Sequence, residues 1–153
     1  MIDTSSTDRI AANALHVCLC FGARKAARSV TQHYDRFFDP IGLKSTQFSL
    51  LLSIYVLAPV KMTELAHTMV MDRTTLSRNL KPLNNAGYVE SSIGRDKRVR
   101  ELSVSDNGRA ILLAAMPVWQ QAQERLVRRI GEARATGLLS AFETLGEIQN
   151  PRT

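Results

Sequence analysis

The chain has 153 residues, of which 44% are hydrophobic, and a formal net charge of +6 at pH 7. This suits one domain whose core needs neither disulfides nor a metal ion, and the sequence pI of about 9.8 favours an anionic partner, whether DNA, RNA or a membrane. Because no apolar run reaches the roughly 18 residues of a transmembrane helix and the polar start MIDTSSTDRI has no signal-like core, we expect a cytoplasmic protein without a membrane partner.

Two helices are predicted in the first third of the chain. After a polar N-terminal tail, apolar residues recur at helical spacing over residues 9–38, which predicts one long helix. Residues 39–42 should end it, because proline disfavours helix in the residue before it and glycine permits a turn. A second helix is predicted over residues 46–57, with Ser45 or Thr46 as its N-cap.

A helix-turn-helix is predicted next. Thr63 is a suitable N-cap for a short first helix. Asp72 can cap a second helix by accepting a backbone N–H two or three residues on. One stripe of this second helix is apolar and should be buried: Leu76, Leu80 and Leu83. The opposite face carries hydrogen-bond donors and cations: Arg73, Thr74, Ser77, Arg78 and Lys81.

A hairpin should follow this second helix. Pro82 predicts a kink, or an end of the helix near Lys81, because proline removes a backbone donor and its ring clashes with the preceding turn. Alternating residues then predict two strands, residues 88–90 and 99–104, around a charged tip at residues 91–98. A helix-turn-helix followed by such a hairpin is a winged helix.

Two apolar helices are predicted to close the chain, over residues 105–130 and 135–148. The first has a stripe with alternating spacings of four and three, a pattern that can pack along another helix: Leu112, Met116, Trp119, Gln123, Leu126 and Ile130. Packing within the chain could use the same residues. Because a winged motif folds around its own three helices, the terminal segments also leave surplus apolar surface for a second copy.

The positive charge is concentrated on the winged motif. From Arg73 to Arg100 there are seven basic residues and two acidic ones, Glu90 and Asp96, so this stretch contributes +5 to the whole-chain charge of +6. A solvated surface normally interleaves both signs, and clustering on one motif is expected for a protein that binds a polyanion. The alternative is a solvated face on an unrelated helical domain.

Three groups of residues combine here: the run DRTTLSR at residues 72–78, Gly87-Tyr88-Val89 before the hairpin, and Asp96-Lys97-Arg98 followed by Leu102-Ser103. Together they resemble the MarR-type winged-helix transcription regulators, whose wing signature is D-x-R followed by L-S/T. The resemblance implies a mainly α fold with a small β-wing in one domain, residues 1–153. Residues 43–109 would form the DNA-binding lobe, and residues 1–42 and 110–153 the dimerisation helices.

The predicted contacts to DNA divide by position. The first two turns of a recognition helix reach base edges in the major groove, which here means Arg73, Thr74, Thr75, Ser77 and Arg78. We expect Arg78 to bind guanine through both arms of its guanidinium, whereas Arg73 and Lys81 contact phosphates.

The wing tip should act through charge and shape. Arg95, Lys97 and Arg98 can enter or straddle the narrow minor groove. Asp96 cannot favour a phosphate directly, and we expect it to orient Arg98 through a charge-assisted hydrogen bond.

The expected function is transcriptional regulation by sequence-specific binding to a pseudo-palindromic duplex. The resemblance implies that the first and last helices interlock as a two-fold homodimer, which places half-sites about one helical turn apart. It also implies a repressor that a small aromatic or apolar effector, bound between the dimer helices and the DNA-binding lobe, releases from DNA.

Two cysteines leave a second interpretation open. Cys18 and Cys20 are two residues apart on a helix, so they point in roughly opposite directions and cannot pair. Arg24 lies one turn after Cys20 and would favour its thiolate. Cys20-Phe21 with Tyr34 also resembles the hydroperoxide-sensing branch of the MarR family, although that branch has a tyrosine where Arg24 stands. The interpretations are a thiol-based oxidant sensor using Cys20, or two small hydrophobes in a dimerising helix.

Enzymatic chemistry has little support in the sequence. It contains three histidines and neither a glycine-rich phosphate loop nor a nucleophile elbow. We expect no catalytic residue, no metal site and no cofactor. A dimeric module that binds RNA or a protein is the other non-enzymatic class, but the deep, narrow major groove of RNA does not admit a helix.

Overall fold

A computed structural model of the chain describes residues 4–94 and 100–149. The fold is mainly helical with one small antiparallel sheet, as predicted. The chain forms two compact units, Met1–His33 and Tyr34–Thr153, with the boundary inside a helix.

The N-terminal unit consists of α1, Thr4–Val17, and the first part of α2, Leu19–Phe38. The prediction of one helix over residues 9–38 is therefore wrong in two respects. The helix includes residues 4–8, which the prediction assigned to the polar tail, and it is interrupted at Cys18.

Cys18 occupies the place of an N-cap for α2. Its Sγ accepts the Phe21 N–H at 3.4 Å, three residues on, which is the bond that a serine or threonine hydroxyl makes at an N-cap. Helical bonding nevertheless continues through this residue, since the Cys18 N–H also donates to the Ala14 carbonyl oxygen of α1 at 2.9 Å. The interruption is therefore local.

The second unit begins with the end of α2 and a reversal of the chain. A 3-10 turn, Asp39–Ile41, follows α2, and Gly42 adopts a left-handed φ of +70°, as the proline and glycine predicted. The reversal brings the buried Phe38 ring to a centroid distance of 4.9 Å from Phe48 in α3, Ser45–Leu57.

The cap of α3 differs from the prediction. Lys44 is the N-cap, and its N–H donates to Gln47 Oε1 at 2.9 Å. Ser45 and Thr46 are already helical, so neither caps the helix. The Ser45 N–H and hydroxyl both donate to Oδ1 of Asp35 in α2, each at 2.7 Å.

The helix-turn-helix consists of α4, Met62–Thr68, and α5, Arg73–Asn85. Thr63 is not the N-cap of α4, because the helix has already begun there and the Lys61 N–H donates to Glu64 Oε2 at 3.3 Å. In α3 and α4 alike, a long polar side chain three residues into the helix satisfies the N-cap amide.

Helix α5 follows the sequence prediction more closely. Asp72 is its N-cap, as predicted, and Gly87 follows its end with φ +68°. The helix continues through Pro82 to Asn85, so an end near Lys81 is wrong. The Ala86 N–H still donates to the Pro82 carbonyl oxygen at 3.0 Å.

Three antiparallel strands form the sheet in the order β1-β3-β2. The predicted hairpin consists of β2, Val89–Ile93, and β3, Arg100–Val104. Strand β1, Val60–Lys61, was not predicted, because two residues carry no readable alternation; it pairs with β3.

Two helices end the described chain. Helix α6 spans Asp106–Ile130, as predicted, with Ser105 as its N-cap. Helix α7, Glu132–Gly146, begins three residues before the predicted start, because Gly131, at φ +90°, interrupts the helix for a single residue. A 3-10 turn, Glu147–Gln149, follows.

The core of the second unit lies among α3, α4, α5, β3 and α6. It includes the fully or almost fully buried side chains of Leu51, Ile54, Leu65, Leu76, Leu102 and Leu112. Burial of each such leucine or isoleucine contributes about 1.5–3 kcal/mol. This packing fixes which face of α5 points outward.

Candidate nucleic-acid interface

The outward face of α5 is polar and cationic. Its three leucines are buried as predicted, at 0%, 3% and 1% relative exposure for Leu76, Leu80 and Leu83. Five predicted DNA-binding residues therefore lie on the opposite, exposed face: Arg73, Thr74, Ser77, Arg78 and Lys81. Within residues 4–94 and 100–149, none of the three cations among them lies within 4 Å of a carboxylate.

Thr75 differs from its neighbours because it completes the cap of α5. Its N–H donates to Asp72 Oδ1 at 2.8 Å, and its hydroxyl donates to Asp72 Oδ2 at 2.7 Å. These two bonds from Thr75 lower the pKa of the Asp72 carboxyl below its usual range. The methyl group of Thr75 can still contact base edges as predicted, whereas its hydroxyl already donates to Asp72.

Arg78 borders a pocket that the sequence did not predict. The pocket has a volume of about 140 Å³ and lies between the start of α3 and the middle of α5; it is lined by Lys44, Thr46, Gln47, Arg78, Asn79 and Pro82. Lys44 is exposed and forms an ion pair with Asp39 at 2.6 Å. The hydrogen bond to Asp39 raises the pKa of the Lys44 ammonium, which keeps it charged.

Three residues at the start of α3 border this pocket and were not predicted as part of the interface: Lys44, Thr46 and Gln47. The helix-turn-helix motif gave no signal for them, because the helix that it places across the DNA backbone is α4, not α3. Their place beside Arg78 follows from the packing of α3 against α5 in the fold.

The hairpin extends from the base of the wing toward its tip. Strands β2 and β3 pair from Val89 with Val104 to Ile93 with Arg100, and Arg100 is exposed. The predicted tip contacts, Arg95, Lys97 and Arg98, and the orienting Asp96 lie outside the described residues.

Ser105 fastens the wing and α5 to the start of α6. Its hydroxyl donates to the Gly87 carbonyl oxygen at 2.6 Å and accepts the Gly108 N–H at 3.0 Å. Its own N–H donates to the Tyr88 carbonyl oxygen at 3.0 Å. One buried serine therefore joins the end of the recognition helix, the first strand of the hairpin and α6.

Comparison with known proteins agrees with this geometry. A model of the MarR family matches residues 43–99. The transcriptional regulator MosR of M. tuberculosis is 33% identical, the alignment covers 88% of this chain and 98% of MosR, and the TM-score is 0.73. This chain belongs to the MarR family. Members of this family are transcription regulators, not enzymes, as the sequence analysis predicted.

Two further relatives are similar to this chain, one in structure and one in sequence. The transcriptional repressor CouR, in a structure with a 23-mer DNA duplex, is 26% identical over 86% of this chain and 94% of CouR, with a TM-score of 0.76. YwoH of Bacillus subtilis, an uncharacterized HTH-type transcriptional regulator, is 28% identical over 74 residues, 48% of this chain and 54% of YwoH. The chain thus spans about half the length of the curated relatives that it matches.

Surplus apolar surface of this MarR-family chain lies on α7 as well as on α1 and α2. Large apolar side chains are 45–69% exposed on α7 and in the turn that follows: Leu138, Leu139, Phe142, Leu145 and Ile148. In the predicted stripe of α6, Leu112 is buried in the core, whereas Met116 is 37% exposed. The first position of that stripe therefore packs within the chain.

The two cysteines are free and exposed, so within the chain neither is a buried packing residue. Cys18 caps α2 and Cys20 lies in its first turn. Elsewhere in the described ranges, no cluster of three His, Cys, Asp or Glu side chains could hold a metal ion. No helix in those ranges has the length and hydropathy to cross a membrane.

Proposed function

We propose that this chain regulates transcription by binding a pseudo-palindromic DNA duplex as a homodimer. The observation that carries the proposal is the outward face of α5, whose cations have no carboxylate partner among the described residues. A recognition helix in the major groove needs this arrangement, with an apolar face held by the core and donors facing the bases.

The roles on this face follow from position. Arg78 lies in the second turn of α5 and binds guanine O6 and N7, the commonest specific contact of an arginine. Arg73 and Lys81 contact phosphates on either side. Lys44, at the start of α3, lies beside the pocket that Arg78 borders and contacts the same DNA backbone. The wing residues Arg95, Lys97 and Arg98 are proposed to meet the minor groove, with Asp96 orienting Arg98.

Two relatives support duplex DNA as the partner. MosR has been seen in complex with DNA, at 35% identity to this chain, and CouR with a 23-mer duplex. Binding to a genomic operator takes place in the cytoplasm, the compartment that the sequence analysis predicts.

The exposed apolar surface of α7 supports the homodimer. Five large side chains at about half exposure would be costly in a lone chain, because each gains about 25 cal/mol for every Å² of apolar surface that a partner covers. The two-fold symmetry of such a dimer matches a pseudo-palindromic operator.

Release by a small molecule completes the proposal. We infer a repressor, the role that the name of CouR gives that relative. The effector is a small aromatic or apolar compound that binds between the dimer helices and residues 43–109. It lowers DNA affinity only if it binds the DNA-free conformation more tightly than the bound one.

The experiment that tests this function is selection of genomic DNA fragments by the purified chain. We expect a short motif with two-fold symmetry, and light scattering should give a dimer at micromolar concentration. Random recovery of fragments, or a motif with no repeated half-site, would contradict the proposal.

A second candidate function is oxidant sensing through Cys20. The observation in its favour is exposure: the thiol is accessible to peroxide, and Arg24 follows one turn later on α2. Peroxide should then weaken DNA binding by the parent and by Cys18→Ser but not by Cys20→Ser. An identical response from all three proteins would exclude this role, and so would the absence of any response.

A further inference from the structure

Two consecutive residues of α2 connect two other helices. The Tyr34 hydroxyl donates to Oε1 of Gln123, near the C-terminal end of α6. The next residue, Asp35, accepts both the N–H and the hydroxyl of Ser45, the first residue of α3. Along α2, the connection to α6 and the connection to α3 are therefore one residue apart.

The bond from Tyr34 is partly shielded from water. The phenol is partly buried and its partner Gln123 is half-buried. Burial raises the pKa of Tyr34, so that the phenol keeps its proton and remains a donor at every physiological pH. Gln123 lies 89 positions away along the chain, and this bond links α2 to α6 at the position of Tyr34.

The bonds to Asp35 fix the start of α3. The first N–H groups of a helix have no partner within the helix, and a carboxylate there also interacts favourably with the helix dipole. Asp35 supplies both effects from a neighbouring helix, and one oxygen, Oδ1, accepts both bonds at 2.7 Å. Helix α3 packs in turn against α5 through the core, which includes Phe48, Leu51 and Leu76.

We propose that Tyr34 and Asp35 are positioning residues that set the orientation of the helix-turn-helix relative to α6. In the dimer they thereby set the separation of the two recognition helices and the preferred spacing of operator half-sites. The dimer and its spacing rest on the proposed function, whereas the orientation within one chain does not.

The orientation can be measured without DNA. Spin labels are attached at Ser77→Cys in α5 and Gln121→Cys in α6 of a chain that carries Cys18→Ser and Cys20→Ser. Dilution with unlabelled protein restricts the measured distances to one chain. We expect a narrow distance distribution in this parent and a broad or shifted one in Asp35→Ala and Tyr34→Phe.

Matched variants separate the hydrogen bonds from other effects. Asp35→Asn removes the same charge as Asp35→Ala but retains an oxygen that can accept both bonds from Ser45, so it should restore the narrow distribution. Tyr55→Phe removes a hydroxyl from a different tyrosine, on α3, and should leave the distribution unchanged. An unchanged distribution in both Asp35→Ala and Tyr34→Phe would overturn the proposal.

The spacing is measured on the best fragment from the genomic selection, with one or two base pairs inserted or deleted at its centre. The parent should prefer one spacing, and Asp35→Ala should lose roughly tenfold in affinity there, about 1.4 kcal/mol, and less at the other spacings. Asp35→Asn should keep the parental profile.

The two readouts distinguish the possible failures. A changed orientation with an unchanged spacing profile would overturn the role in specificity. A changed orientation in a chain whose parent selects no DNA would contradict the proposed function and leave the positioning role standing.

Discussion

Gly108, in the first turn of α6, lies against the carbonyl oxygen of Tyr88. A Cβ atom at Gly108 would be 2.1 Å from that oxygen and 2.8 Å from the Val104 side chain. Ser105 makes this approach possible, because its bonds to Gly87 and Tyr88 draw the start of α6 onto the base of the wing.

Gly108→Ala should therefore destabilise the protein although alanine favours helix. Backbone atoms cannot yield as a flexible side chain does, and overpacking of this kind costs about 1–3 kcal/mol. Thermal unfolding checks the prediction. The control is Gly137→Ala in α7, where a Cβ meets nothing within 4 Å of the described chain; this change should not lower Tm. Equal effects of the two substitutions would contradict the close contact.

The cap of α5 predicts a dependence on pH. The bonds from Thr75 lower the pKa of Asp72 in the folded chain, so the stability that they provide is present above the unfolded pKa. It is lost as the pH falls through the lower, folded pKa. Asp72→Ala should thus reduce Tm at neutral pH, and the difference from the parent should shrink on acidification.

Asp72→Asn separates the charge from the cap. Asparagine caps helices about as well as aspartate but does not titrate, so this variant should remain close to the parent at neutral pH and lack the acid-dependent loss that Asp72 contributes. A constant difference between parent and Asp72→Ala at every pH would show that the cap has no titrating part.

Arg78 is predicted to read sequence. Arg78→Ala should lose roughly 1–3 kcal/mol on the selected operator and much less on random duplex, because only the operator offers the guanine. Titration of both duplexes at several salt concentrations measures the difference. Arg129→Ala removes the same charge from α6, outside the winged motif, and should change neither affinity markedly. If Arg78→Ala weakens both duplexes equally, the residue contacts phosphate rather than a base.

The exposed face of α7 is predicted to hold the dimer together. Phe142 is 50% exposed, and Phe142→Asp places a charge where the proposed partner would cover it. Light scattering should then show monomers at concentrations at which the parent is dimeric, with a parallel loss of operator binding. The neighbouring Glu143→Ala should leave the dimer intact. A dimeric Phe142→Asp protein would place the interface elsewhere.

Local patterns in the sequence predicted α5 well. The Asp72 cap acts on an amide three residues on, and the leucine stripe repeats every three or four residues, so each signal is local. The same reasoning failed where tertiary contacts determine the secondary structure. Strand β1 exists because β3 is available to pair with it, and Val60 alone does not indicate a strand.

The predicted N-caps of α3 and α4 were wrong for a related reason. Hydroxyl residues stand at both starts, yet Gln47 and Glu64 make the bonds to the N-cap amides, while Ser45 is directed to Asp35. The connection from Tyr34 to Gln123 spans 89 positions and has no local signature. Of the candidate interface, the α5 residues were predictable from periodicity, whereas the residues from the start of α3 required the folded arrangement.

Because of the strand order, the hairpin can open without disrupting the whole sheet. Strand β3 is central, bonded to β1 through Leu102 and Glu101 and to β2 along its length, whereas β2 is an edge strand. Opening of the hairpin at Ile93 and Arg100 can therefore proceed inward without breaking the pairs that β1 makes with β3. Amide hydrogen exchange should be slowest in β3, and a wing that opens and closes on DNA would leave the start of α4 undisturbed.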